Sequence, residues 1–152
     1  MRISAKVDYA VRAAVELAAA EDEEPIKGEV IAEAQGIPLK FLENILGELK
    51  HVGIVKSRRG AQGGYWLAKP ANEVSLGDIV RAVEGPLASV RGEGPEDLEY
   101  KGGAAPLQRV WIALRANLRA VMDEVSLADV VADELPVEVR ELSEPAEAWS
   151  PR

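Results

Sequence analysis

The chain has 152 residues, no cysteine and a formal net charge of -8, which suits one compact domain plus an appendage, with roughly two-thirds of the unfolded surface buried on folding. With 47% hydrophobic residues the composition excludes wholesale disorder, and the lack of cysteine excludes disulfides, a thiolate nucleophile and any thiolate-held cluster. No apolar run approaches the roughly 18 residues of a membrane span, and Met1-Arg2-Ile3-Ser4 leads into a helical pattern without a signal-peptide cleavage site, so a cytoplasmic location is expected.

Ile3, Val7, Ala10, Val11, Ala14, Leu17 and Ala18 repeat at helical spacing, which predicts a first helix over about 4–20. The acidic run Glu21-Asp22-Glu23-Glu24 and Pro25 end it. A short helix over about 28–35 follows, with Val30, Ile31 and Ala34 expected to face inward. Gly36 supplies a left-handed turn, and Pro38 fits the first turn of a third helix. In that helix Leu42, Ile45, Leu46, Leu49 and Val52 form an apolar stripe, opposite Lys40, Glu43, Asn44, Gly47 and His51. Gly53 stops it, and Ile54-Val55 opens a small strand.

Ser57-Arg58-Arg59-Gly60-Ala61-Gln62-Gly63-Gly64-Tyr65-Trp66-Leu67 reads as two strands joined by a basic, glycine-rich tip. Ser75 is the expected N-cap of a fourth helix that buries Ile79, Val80 and Val83 and ends at Gly85-Pro86. Residues 86–106 lose apolar periodicity and collect Gly and Pro, as a flexible connection does. From about 107 to 125, Leu107, Trp111, Leu114, Leu118, Val121 and Val125 alternate steps of four and three, the spacing of a helix–helix seam. Over roughly 30 Å at about 1.5 Å per residue, that stripe exceeds what the remaining core can cover, so a second copy of the chain is the expected partner. Ser126 begins a short further helix with Leu127, Val130 and Val131, and the acidic, proline-dotted end beyond Pro136 reads as a loose tail.

The expected fold is thus mainly α with a small β-wing: a winged helix-turn-helix over 1–85, a connection over 86–106, a dimerisation helix and short following helix over 107–132, and an acidic tail over 133–152. A short helix backed by a basic hairpin is the geometry that reads duplex DNA. The charge does not contradict this: residues 1–70 carry ten basic and ten acidic side chains, residues 71–152 eight and sixteen. All the excess acidity therefore lies in the second half. Overall sign governs long-range steering, whereas a local basic tip governs phosphate contact.

On the third helix Asn44 can pair with adenine, Glu43 can accept from cytosine's N4, and Lys40 can meet guanine or phosphate; the bland alternative is a solvated helix face. Glu43 is the odd member, since a carboxylate repels phosphate unless a base amine compensates. At the tip, Arg58, Arg59 and Gln62 beside Gly60, Gly63 and Gly64 suit a narrow groove of negative potential, or else form a hairpin with solvated arginines. Arg2, Ser4, Lys6 and Tyr9 surround a helix start whose N–H groups can meet a phosphate; alone they would be an ordinary helix start.

These residues, in this order, resemble the Rrf2 (Rrf-two) family of bacterial transcription regulators, the group containing IscR, NsrR and CymR. The likeness is carried by Met1-Arg2-Ile3-Ser4 with Lys6, Tyr9 and Ala10, and by Gly36-Ile37-Pro38 with Phe41-Leu42-Glu43. It continues through Leu49-Lys50, Gly53-Ile54-Val55, Arg59-Gly60, Gly63-Gly64-Tyr65 and Leu67. Leu76-Gly77-Asp78-Ile79, Val83-Glu84-Gly85, Trp111 and Ser126-Leu127-Ala128-Asp129 extend it to roughly residues 1–132. The resemblance implies a homodimer on a partly palindromic double-stranded DNA operator, usually as a repressor. Its best-known members hold an iron–sulfur cluster through three cysteines in the connection. Here Ser89 to Gly103 contains none, so the resemblance points to a cysteine-free member with no cofactor, answering to a small-molecule or protein effector.

His51 is the single histidine and has no partners at metal-ligand spacing; a polar helix end or a phosphate contact is expected of it. Glu21–Glu24 and Glu93–Glu99 lack the pattern of a calcium loop and are expected to be solvated. Tyr100, Trp66 and Trp111 are candidates for a ligand pocket near the connection. The competing function class is a winged-helix protein-interaction module without sequence-specific DNA binding. An enzyme is not expected: there is no nucleophile–base pair, phosphate-cradling Gly-Lys-Ser/Thr loop or metal-ligand set.

Overall fold

The structure, a computed structural model, describes residues 2–20 and 24–151. Most of the acidic run after the first helix, Glu21-Asp22-Glu23, lies outside the described residues. Helix α1 (Ala5–Ala18) begins at the N-cap Ser4, whose hydroxyl accepts from the Val7 N–H, one of the otherwise unpaired donors of a first turn. Its inner face is largely alanine: Ala10, Ala13 and Ala14 are fully buried. Small side chains there let α3 (Leu39–His51) approach closely, and α3 answers with Leu42, Ile45, Leu46 and Leu49, all buried.

Helix α2 (Gly28–Gln35) ends at Gly36, left-handed at φ 61°. Its burial departs from the periodic expectation: Ile31 and Ala32 are inside, whereas Val30 and Ala34 are exposed. Two turns give too little length for the sequence pattern to fix which face turns inward. Pro38 occupies the N-cap of α3, extended at ψ 124°, rather than its first turn. Val52, counted in the α3 stripe, is the C-cap and is exposed.

Strands β1 (Val55–Arg58) and β2 (Gly64–Leu67) pair antiparallel, with Val55 opposite Leu67 and Arg58 opposite Gly64. The other edge of β2 takes a bridge from the segment before α2: Ile26 N–H donates to Tyr65 O (2.9 Å) and Tyr65 N–H to Ile26 O (2.8 Å). Gly64 permits that approach, because a Cβ there would lie 2.6 Å from the Ile26 carbonyl. The wing is thereby tied to the root of α2.

Helix α4 (Leu76–Glu84) starts at Ser75 with a complete capping box, and Ile79 and Val83 are buried while Val80 is half-buried. The 86–106 segment carries two 3-10 turns, Pro95–Asp97 and Gly102–Ala104, a Val90–Glu93 bridge, and the buried side chains Leu87, Pro95 and Leu98. Within the acidic stretch expected to be solvated, Glu96 is ion-paired to Arg115.

Helix α5 (Leu107–Met122) is shorter than the periodicity implied. Val125 lies past its end, 3% exposed within its own chain, with its carbonyl accepting from Leu76 N–H. It therefore has no surface to offer a second copy. None of the 16 residues of α5 is buried: Trp111, Leu114, Leu118 and Val121 are half-buried, and Leu107, Val110 and Ile112 are exposed. Helix α6 (Leu127–Ala132) begins at Ser126 with a second capping box. Leu127 is buried, Val130 is half-buried and Val131 is exposed. Instead of an unstructured tail, residues Val137–Ser143 form α7, followed by a 3-10 turn whose Trp149 donates from Nε1 to Ser143 O (2.6 Å). Among the described residues no helix is long and apolar enough to cross a membrane.

Candidate nucleic-acid interface

Burying Leu42, Ile45, Leu46 and Leu49 commits one face of α3 to the core, and the 3.6-residue period turns Lys40, Glu43, Asn44 and Gly47 outward. All four are exposed, as is His51. Beside this face, the wing and the start of α2 complete a groove of about 460 Å3. Four cations line it (Lys27, Lys50, Arg58 and Arg59) together with the carboxylates Glu29 and Glu43. Gly60, Gly63 and Gly64 form part of its wall.

The wing tip is a tight turn. Gly63 N–H donates to Gly60 O (2.9 Å), and Arg58 Nη2 donates back to Gln62 O (3.0 Å). Gly63 is buried, and a Cβ there would overlap the Arg58 carbonyl, so the turn needs glycine at this position. Arg59 and Gln62 are exposed. At the floor of the groove, Tyr65 holds its proton above the usual phenol range, first because it is partly buried and then because Glu43 and Glu29 add negative charge. The groove therefore offers neutral and cationic donors alongside two acceptors, a mixture suited to phosphates flanking a base edge.

The structure brings Glu43, Arg58, Arg59, Gly63 and Gly64 to this one groove, with Lys40, Asn44 and Gln62 exposed on the same two elements. It does not bring Arg2, Ser4, Lys6 or Tyr9 to it. Ser4 caps α1 and donates its hydroxyl hydrogen to Glu84. Lys6 donates to Val83 O (2.8 Å) and pairs with Glu48 (2.9 Å), strapping α1 to α4 and α3. Tyr9 packs edge-on against Phe41, ring centroids 5.8 Å apart, with the Arg12 guanidinium over its ring. Arg2 lines a different cavity, beside α4 and α5. Pro38 is exposed at the head of α3.

Lys27 and Lys50 are groove residues that sequence reasoning missed. Lys50 lies seven residues after Glu43 and three after Gly47, on the same helical face, and that spacing was a usable signal. Lys27 had none; only the bridge between Ile26 and Tyr65 carries it there. Of the three proposed pocket aromatics, Trp111 Nε1 donates to Tyr100 Oη (2.9 Å), whereas Trp66 lies elsewhere, in a cleft with Leu17 and Pro70.

The Rrf2 family, described as "Iron-dependent Transcriptional regulator", matches residues 3–133. The chain belongs to the Rrf2 family. An HTH-type transcriptional regulator of Mycobacterium tuberculosis (strain H37Rv) is 49% identical over 144 residues, covering 95% of this chain and 89% of that one. CymR of Bacillus subtilis is 35% identical over 133 residues, covering 87% of this chain and 91% of the relative. The solved structure of B. subtilis CymR, the "Global Cysteine Regulator", superposes with TM-score 0.72 at 34% identity, covering 88% of this chain and 98% of that one. T. potens IscR gives 0.71 at 34% identity, with 88% of each covered.

This Rrf2 protein is accordingly a DNA-binding transcriptional regulator with a mainly helical, winged fold; the family and its relatives are regulators, not enzymes. The iron in the family's description does not fit a thiolate-held cluster here, since the chain has no cysteine donor. Among the described residues no three His, Asp or Glu side chains gather at metal-binding distance.

Proposed function

We propose that this Rrf2 protein works as a homodimer that binds a partly palindromic operator in the cytoplasm and represses transcription, answering to a signal that needs no cluster. The observation that carries the operator reading is the exposed Lys40–Glu43–Asn44 edge of α3 beside a groove with four cations. Lys40, Glu43 and Asn44 address base edges, while Arg58, Arg59 and Gln62, with Lys27 and Lys50, follow the backbone. Ser4 and Lys6 are left to hold α1 in place. Residues 1–85 form the DNA-reading unit, and 107–132 supply the seam to the second copy through Leu107, Trp111, Leu114, Leu118 and Val121.

The dimer reading rests on α5, none of whose residues is fully buried in its own chain although eleven of the sixteen are apolar. Two recognition helices related by a two-fold axis would read half-sites about one helical turn apart. The test is genomic mapping of bound sites followed by titration of one mapped site at several salt concentrations. Steep salt dependence with strong preference for the mapped sequence supports the reading. Flat, sequence-blind, weak binding would instead indicate a winged helix used for protein contact.

A further inference from the structure

A cavity of about 500 Å3 opens where the start of α1, the end of α4, the first residues of the connection and α5 meet. Its wall is mostly apolar, with Val7, Val80, Leu87, Leu118 and Met122 as the larger side chains. Two charged residues, Arg2 and Glu84, also line it. The Glu84 carboxylate keeps its charge but turns one oxygen to the Ser4 hydroxyl hydrogen at the start of α1, and Arg2 is the one cation in the wall among the described residues. The volume lies in the range of small-molecule sites, and an apolar wall with few convergent polar groups is their usual lining. Apolar cavities hold water poorly.

The backbone around the cavity is unusual as well. Ala88, one of its lining residues, sits at φ 55°, a conformation that non-glycine residues rarely adopt, and Gly85 beside it is at φ 85°. Strain of this kind gathers at ligand clamps and switches.

We infer that this cavity is an effector site for a small molecule with an apolar body and one anionic head, the body lying against Leu118 and Met122 and the head turned to Arg2. Its walls belong both to the DNA-reading unit and to α5, so an occupant that fits one α5 position better shifts the molecule toward it. The consequence for operator affinity, which rests on the function proposed above, follows from reciprocity: the occupant changes operator affinity by the factor by which operator changes its own.

The chain has two methionines, Met1 and Met122, so methyl-13C-methionine labelling of the full-length protein places a reporter on the cavity wall. Octanoate is the probe and 1-octanol its uncharged counterpart. Octanoate is expected to move the Met122 methyl resonance saturably, with about tenfold weaker binding in Arg2→Gln and a similar deficit for 1-octanol. Val80→Trp, which fills the cavity from α4 and leaves the α5 seam untouched, should abolish the response.

No saturable movement would overturn the inference, as would equal responses of wild type and Arg2→Gln to both probes. A Met122 resonance that follows protein concentration but ignores octanoate would overturn it too, by showing that a second copy fills the space. None of these readings needs DNA, so they stand or fall separately from the operator proposal.

Discussion

Ser75 and Ser126 face each other across an isolated antiparallel bridge, and each is the N-cap of the helix that leaves it. Leu76 N–H donates to Val125 O and Leu127 N–H to Val74 O, both at 2.9 Å. In each cap the serine hydroxyl accepts from the third-residue N–H (3.1 Å), and an aspartate, Asp78 or Asp129, reaches back. The rear of the molecule is thus fastened to the winged unit through paired helix starts. Ser126→Ala should lower unfolding free energy by about 1 kcal/mol, read from urea midpoints. An unchanged midpoint would show that Asp129 alone sustains the cap.

The same caps set a pH dependence. Burial opposes ionisation of Asp78, but hydrogen bonds from the Ser75 backbone, Arg81 and the Ser75 side chain outweigh it and hold the carboxyl below its ordinary value. A carboxyl depressed in the folded state contributes stability above its unfolded value, about 3.9, and that contribution disappears as pH falls toward the folded value. Wild type should lose stability more steeply than Asp78→Asn below about pH 4. Parallel urea midpoints for the two proteins across that range would contradict this.

At the wing, Gly63→Ala should displace the Arg58 carbonyl that a Cβ would overlap. The expected result is weaker operator binding with an unchanged helical far-ultraviolet signal, because the tip is remote from the α1–α3–α4 core. Wild-type affinity in this variant would mean that the tip does not contact DNA.

Glu43 and Arg59 should separate cleanly by readout. Glu43→Ala is expected to relax base preference at one operator position by about 1–3 kcal/mol. Arg59→Ala should weaken all sequences alike and reduce the salt slope by about one unit. Identical discrimination across operator variants in Glu43→Ala would remove this carboxylate from the reading face.

Leu107 and Val110 are exposed on α5, so replacing both with glutamate leaves the chain's own core intact. The doubly substituted protein should sediment as a monomer and lose tight operator binding. A monomer with full affinity would contradict the two-copy arrangement.

The winged unit was legible because its signals are local. Gly36 needs a left-handed backbone, Ser75 and Ser126 are caps with an aspartate three residues on, and α3 is long enough for its stripe to fix an inner face. The outward edge of α3 followed from the same periodicity, and the basic tip from Arg58, Arg59 and the glycines beside them. Where elements are short or contacts distant, the pattern said less. Val30 and Ala34 in two-turn α2 were assigned the wrong side, and Val125 continued the α5 periodicity although the helix had ended at Met122. Lys6 and Ser4 read as a helix start able to meet a phosphate, and nothing local reveals Glu48, Val83 or Glu84 as their partners within the chain. Lys27 joined the groove only through a bridge spanning 39 residues of chain.

The Lys6 strap bears on how an imperfect operator is accommodated. One ammonium on α1 joins the carboxylate of Glu48 on α3 to the carbonyl of Val83 at the end of α4, so tilting α3 against α1 would break the Glu48 contact. A rigid probe passes misfit to the softer body, which is the duplex. In the proposed dimer, base steps between the half-sites should then influence affinity through how readily they twist or narrow.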